Sequence, residues 1–131
     1  MKLITRDTDY ALRAICFIAK NKNKKVSVSR LVKELKIPRP FLRKILQVLN
    51  KKNILISHKG IGGGFVLANS AKKITLTDLI KIFQGPVHLN ECLFKKRKCP
   101  NTETCPLRKK IKDIEKYVVK ELNSVTLASL M

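Results

Sequence analysis

Apolar positions recur along the chain in two rhythms, and these predict most of its elements. In "TDYALRAICFIAKN", Tyr10, Ala11, Ala14, Ile15, Ile18 and Ala19 fall on one helical stripe, which the lysine-rich "NKNKK" ends. "VSVSRLVKELKIPRP" predicts a short helix. Ser27 caps it, Leu31, Val32 and Leu35 face inward, and Lys36-Ile37-Pro38 turns the chain. Pro40 suits the first turn of the next helix, because its fixed φ fits there and its missing N–H would have had no partner. That helix, "PFLRKILQVLNKKN", sets Phe41, Leu42, Ile45, Leu46 and Leu49 on one side. Its other side carries Arg39, Arg43, Lys44, Gln47, Lys51 and Lys52.

The rhythm then changes. "ILISHK" and "FVLA" read as two short strands around the glycine-rich tip "GIGGG". "TLTDLIKIFQG" returns to helical spacing, with Thr75 and Asp78 placed as a capping box and Gly85 as the stop. From Leu107 onward, Leu107, Ile111, Ile114, Val118, Leu122 and Val125 recur every three to four residues, so a long amphipathic helix precedes the closing "VTLASLM". There is no internal repeat and no low-complexity linker. Three helices, a tight turn between the second and third, and then a hairpin predict a mainly α fold with a small β-hairpin. The order is that of a winged helix-turn-helix over residues 1–84. A cysteine-rich loop follows at 85–106, then a dimerisation helix and C-terminal tail at 107–131.

Charge gives this architecture a partner. The net charge is +20, and residues 1–60 hold 16 of the 29 lysines and arginines against 3 of the 9 acidic residues. A compact basic half points to a polyanion, most simply double-stranded DNA, although a lysine-rich proteome would raise the charge of any protein. A helix fits the major groove, and Arg39 and Arg43 lie at the end of the candidate recognition helix that enters it, with Pro40 and Lys44 beside them. Lys51 and Lys52 at its far end suit phosphate contacts, which add affinity without sequence information. In the wing, His58 and Lys59 sit beside Gly60, where the backbone can approach a sugar-phosphate chain closely.

Other classes fit less well. No apolar run approaches the ~20 residues of a membrane span, and the N-terminus does not read as a signal peptide. A cytoplasmic protein is therefore expected, and with it thiols rather than disulfides. The two histidines, His58 and His88, and the lack of a serine nucleophile elbow leave no catalytic constellation, so no enzyme is expected.

The cysteines are unevenly placed: three of four lie in "NECLFKKRKCPNTETCPLRKK". Six residues separate Cys92 from Cys99, and five separate Cys99 from Cys105. Three thiolates on one irregular loop can converge on a soft metal, and Lys95, Lys96, Arg97, Lys98 and Arg108 favour the thiolate form. Iron–sulfur, zinc and bare redox thiols all remain open on spacing alone. Cys16, among Ile15, Phe17 and Ile18, reads as a small core residue. His88, four residues before Cys92, reads as an exposed loop histidine.

Taken in order, "TDYALRA", "IPRPFLRKILQVLNKKNILIS", "KGIGGGFVLA", "ITLTDLIKIFQG" and the cysteine triplet resemble the IscR/NsrR family of bacterial winged-helix regulators over essentially the whole chain. The resemblance implies a [2Fe–2S] or [4Fe–4S] iron–sulfur cluster on Cys92, Cys99 and Cys105, in a homodimer that binds a palindromic promoter site. IscR-like members carry a ligand histidine three residues after the third cysteine. Here that position is Arg108, which cannot ligate iron. NsrR-like members use an aspartate of the partner subunit near the start of the first helix, and the matching residue is Asp9. The six-residue gap between the first two cysteines exceeds the five of the best-known members. Family members differ in whether they answer to nitric oxide, redox state or iron supply. Two rivals stand beside this reading: an electron carrier, which leaves the wing unexplained, and a constitutive basic binder, which leaves the thiols unexplained.

Overall fold

The computed structural model describes residues 2–89 and 104–131. Its first helix, α1 (Arg6–Lys20), begins four residues before the apolar stripe opens at Tyr10 because Thr5 caps it, accepting the Thr8 amide on its side-chain oxygen. Asp7 and Asp9 in the first turn and Lys20 in the last complement the helix dipole. Helix α2 (Val28–Leu35) starts where Ser27 Oγ accepts the Arg30 amide at 3.1 Å. It stops at Lys36, which takes the left-handed conformation with φ 55°. Pro38 then forbids continuation and opens α3 (Arg39–Lys51).

These three helices share one core. Ala11, Ala14, Ile15 and Ile18 of α1 meet Leu31 of α2 and Leu42, Ile45, Leu46 and Leu49 of α3, all essentially buried. Each such side chain contributes about 1.5–3 kcal/mol relative to exposure. Small alanines on α1 let α3 approach closely while the leucines fill the space. Val32 and Leu35 pack at the margin of this core.

Asn53, at φ 61°, reverses the chain after α3. The strands β1 (Leu55–His58) and β2 (Gly64–Leu67) then pair antiparallel, from Leu55 opposite Leu67 to His58 opposite Gly64. Val26, ahead of α2, adds a bridge to Phe65 on the other edge of β2, with N···O distances of 3.1 and 2.9 Å. Gly64 makes this approach possible: a Cβ there would lie 2.7 Å from the Val26 carbonyl.

After a 3₁₀ turn at Ala71–Lys73, α4 (Leu76–Gln84) opens on the expected capping box. The Asp78 amide donates to Thr75 Oγ1 (3.2 Å), and the Thr75 amide donates to Asp78 Oδ2 (2.9 Å). Gly85, at φ 80°, ends it. The last helix, α5 (Pro106–Ser124), keeps only Leu122 of its apolar stripe buried. Leu107 and Ile114 are 66% and 44% exposed, as is Tyr117 beside them at 66%. Beyond α5 the tail folds back, with the Leu127 amide on the Ile74 carbonyl (2.8 Å) and the Leu76 amide on the Val125 carbonyl (2.9 Å). Leu127 is thereby buried in the winged core.

Candidate nucleic-acid interface and cysteine loop

The outward face of α3 is basic because its inward face is fully used by the leucines. Arg39, Pro40, Arg43, Lys44, Lys51 and Lys52 are all exposed. Arg39 is also anchored: its Nη2 donates to Ser29 Oγ on α2 at 3.1 Å, which ties the start of α3 to the helix before it. The arrangement leaves guanidinium and ammonium donors projecting from one rigid helix, the geometry that groove reading requires.

Phe41 departs from the expectation. Its position one residue before Leu42 places it on the flank of the helix, where it stays 40% exposed instead of entering the core. The Arg6 guanidinium stacks over its ring at 4.6 Å. A cation–π contact at an exposed site contributes about 0.5–1 kcal/mol. Neither Arg6 nor this role for Phe41 was legible from periodicity, because the contact joins residues 35 positions apart.

At the wing, His58, Lys59 and Gly60 are exposed at the end of the hairpin. Gly60 and Gly62 take φ of 95° and 74°, and the Gly63 amide closes the tip on the Gly60 carbonyl at 3.0 Å. A Cβ at Gly63 would overlap the His58 carbonyl. Here glycine is a steric requirement.

Among the three loop cysteines, Cys92 and Cys99 lie outside the described residues. Cys105 is half-buried at the N-cap of α5, immediately before Pro106, and its thiol makes no capping hydrogen bond. Asp9 sits on the half-exposed flank of α1, with its Oδ2 3.0 Å from Arg13 Nε one turn later. Such exposed pairs contribute about 0–1 kcal/mol, so the carboxylate is only lightly committed. Among the described residues no three His, Cys, Asp or Glu side chains converge to hold a metal. His88 is exposed as expected, and its Nδ1 lies 3.4 Å from Glu115 Oε1, which lays the chain after α4 along α5. Cys16 is half-buried against the core rather than within it. Burial pushes its thiol pKa up, and Lys20 partly offsets this.

A third feature links these parts. Gln84, the last residue of α4, accepts on Oε1 from the Thr5 amide (2.9 Å) and the Thr8 hydroxyl (2.6 Å), and its Nε2 donates to the Leu3 carbonyl (3.0 Å). Thr8 is wholly buried. The start of α1 is thus clasped to the end of α4, one residue before the cysteine loop's segment begins at Gly85.

Comparison with known proteins agrees with this architecture. The family model described as "Rrf2: Iron-dependent Transcriptional regulator" matches residues 4–131. A putative HTH-type transcriptional regulator of Aquifex aeolicus is 41% identical over 90 residues, 69% of this chain and 62% of that relative. The chain thus matches somewhat under two thirds of that relative's length. Protein rrf2 of Nitratidesulfovibrio vulgaris is 30% identical over 132 aligned positions, covering all of this chain and 87% of its own. Among solved structures, the fold is similar to CymR, the global cysteine regulator of B. subtilis (TM-score 0.83, 23% identity, 99% of this chain and 96% of that one). It is also similar to IscR of T. potens (TM-score 0.76, 21% identity, 99% and 85%). Regulators of this family bind DNA and act as dimers. Among the described residues no helix is long and apolar enough to cross a membrane. The chain belongs to the Rrf2 family of winged-helix transcriptional regulators, and is a regulator rather than an enzyme.

Proposed function

We propose that this regulator holds an iron–sulfur cluster, [2Fe–2S] or [4Fe–4S], on Cys92, Cys99 and Cys105, and that the cluster's state sets its affinity for a palindromic promoter site. One observation carries the reading: three of the chain's four cysteines lie in one short basic segment, and the last of them, Cys105, starts the helix whose apolar face is left exposed. A second copy of α5 covers that face, which sets two α3 helices about one DNA turn (~34 Å) or a multiple apart. Arg39 and Arg43 read base edges, Lys51 and Lys52 hold phosphates, and the wing adds His58 and Lys59.

The donor set fits the group. Three thiols need one further ligand, Arg108 cannot be it, and Asp9 of the partner subunit offers a lightly held carboxylate. Such a cluster supplies chemistry that answers to oxidation, nitric oxide or iron supply. The lysines and arginines of the segment would offset the cluster's negative charge. Because Asp9 lies on α1 and Cys105 caps α5, a ligand set drawn from both would fix the angle between two subunits' reading heads. The regulator works where thiols stay reduced, in the cytoplasm.

A thiol-based reading without metal has one observation in its favour, the similarity in fold to CymR, the global cysteine regulator of B. subtilis. Zinc on the same thiols is the further variant. An ultraviolet–visible spectrum with iron and sulfide assays on protein purified without oxygen separates them. Visible absorbance with matching iron and sulfide, lost in Cys→Ala variants and altered in Asp9→Ala, supports the cluster. A colourless, zinc-free protein that stays so after reconstitution overturns it and leaves thiol chemistry.

A further inference from the structure

We infer that Ile61, at the apex of the wing, reads the minor groove of the operator and selects an A·T pair there. The inference rests on the DNA-binding reading of α3 and the wing. A single exposed apolar residue is ordinary on a protein surface. Ile61 differs in its setting. Its relative exposure is 110%, so no described residue covers it, and it stands between Gly60 and Gly62, both at positive φ. The tip beneath it is fixed by the Gly63-to-Gly60 hydrogen bond and by the overlap that any Cβ at Gly63 would meet. His58 and Lys59 precede it, and the chain's charge is strongly positive. A branched aliphatic group is thus held outward on a rigid turn at the end of a basic hairpin. No described side chain covers it, and the charge around it directs it to a polyanion.

Chemistry then selects the base pair. The minor groove over A·T shows only the adenine N3 and thymine O2 acceptors, whereas G·C adds the guanine N2 amino donor. Ile61 carries no acceptor. Pressed on the groove floor, it would cover that amino group and leave the donor unpaired, at the cost of a desolvated polar group. Over A·T it gains apolar contact with the sugar walls and covers no donor.

The test uses a duplex that the full-length protein selects from a random pool. Each A·T pair flanking the α3 half-sites is replaced in turn by G·C and by inosine·cytosine, which keeps the G·C major-groove face but lacks the N2 amino group. For the wild type, G·C at one position per half-site weakens binding about tenfold, the ordinary cost of one mismatched pair, and inosine·cytosine restores it. In Ile61→Ala the G·C penalty disappears while the slope of log K against log salt is unchanged. In Lys59→Ala the penalty remains while the slope falls by about 0.9. A penalty that persists in Ile61→Ala, or that vanishes only in Lys59→Ala, overturns the inference and assigns the preference to groove width. A wild type with no such position also overturns it, leaving the DNA-binding reading intact. A wild type that selects no duplex overturns both. Full exposure of Ile61 ensures that the variants fold.

Discussion

The clasp made by Gln84 provides a sharp test of how the N-terminal turn is held. Gln84→Ala removes the acceptor shared by the Thr5 amide and the Thr8 hydroxyl, at 2.9 and 2.6 Å. A net hydrogen bond contributes about 0.5–1.5 kcal/mol, and a buried group left unpaired costs about 1–3 kcal/mol. The Thr5 amide is only part-buried and can turn to water. Thr8 is wholly buried, but its hydroxyl retains Thr5 Oγ1 at 3.2 Å, so the penalty falls at the low end. The third bond, to the Leu3 carbonyl, is exposed and adds little. The expected loss is therefore about 2 kcal/mol, or a fall in midpoint temperature of about 7 °C for a domain of this size. Urea unfolding at one fixed protein concentration measures it, since dimerisation makes stability concentration-dependent. A double-mutant cycle with Thr8→Val isolates the Thr8–Gln84 term, with an expected coupling of about 1 kcal/mol. A loss under about 0.5 kcal/mol, or strictly additive variants, would refute the assignment of the clasp as a structural tie.

Three further outcomes follow from single features. Arg43→Ala should weaken specific DNA binding more than non-specific binding, whereas Lys52→Ala should weaken both and lower the salt slope by about 0.9; fluorescence anisotropy across a salt series decides, and equal losses would remove α3 from the groove. Gly64→Ala should cost about 1–3 kcal/mol by pushing β2 off Val26, and faster hydrogen exchange at the Val26 and Phe65 amides would locate the damage. Burial raises the Cys16 pKa, so its alkylation in the folded protein at pH 8 should lag that in the unfolded chain, measured by mass spectrometry. The sign for stability follows: this contribution is complete below the unfolded thiol's ~8.5 and is lost as pH rises through the higher folded value.

Much of the fold was legible because local signals and core demand agreed. Ser27, the Thr75–Asp78 box, Gly85 and Pro40 each act at the position where their own chemistry is needed. Leucines at helical spacing on α3 could only face inward. The misreadings share a cause. Phe41 satisfied the same spacing, yet it sits on the flank of the stripe, and its ring finds Arg6 of another helix. Gln84 carried no signal at all, since a polar residue at a helix end is unremarkable until the fold brings Thr5 and Thr8 to it. Leu127 belonged to a seven-residue tail with no periodicity to read, and only tertiary hydrogen bonds to Ile74 and Leu76 reveal it as core. For the candidate site, residue types and order pointed to the basic face of α3 and the wing, and the structure leaves both exposed. The exposed apex at Ile61 was hidden among its glycines.

The first turn of α1 is where these separate features meet. Thr5 and Thr8 bind Gln84, beside the root of the cysteine segment. Arg6 lies over Phe41 at the start of α3, and Asp9, the candidate cross-subunit ligand, pairs with Arg13. A pull on Asp9 is therefore resisted unequally. The buried clasp holds about 2 kcal/mol, whereas the Arg6–Phe41 contact is exposed and holds about 0.5–1 kcal/mol. The weaker contact yields first, and it is the one that touches α3 beside Pro40 and Arg39. If ligation at Asp9 acts through that contact alone, linkage limits the resulting change in DNA affinity to about fivefold per kcal/mol. Arg6→Ala should then narrow the affinity difference between signal-loaded and signal-free protein by no more than that factor. A much larger loss would place the coupling instead in the relative angle of the two subunits, through the α5 face.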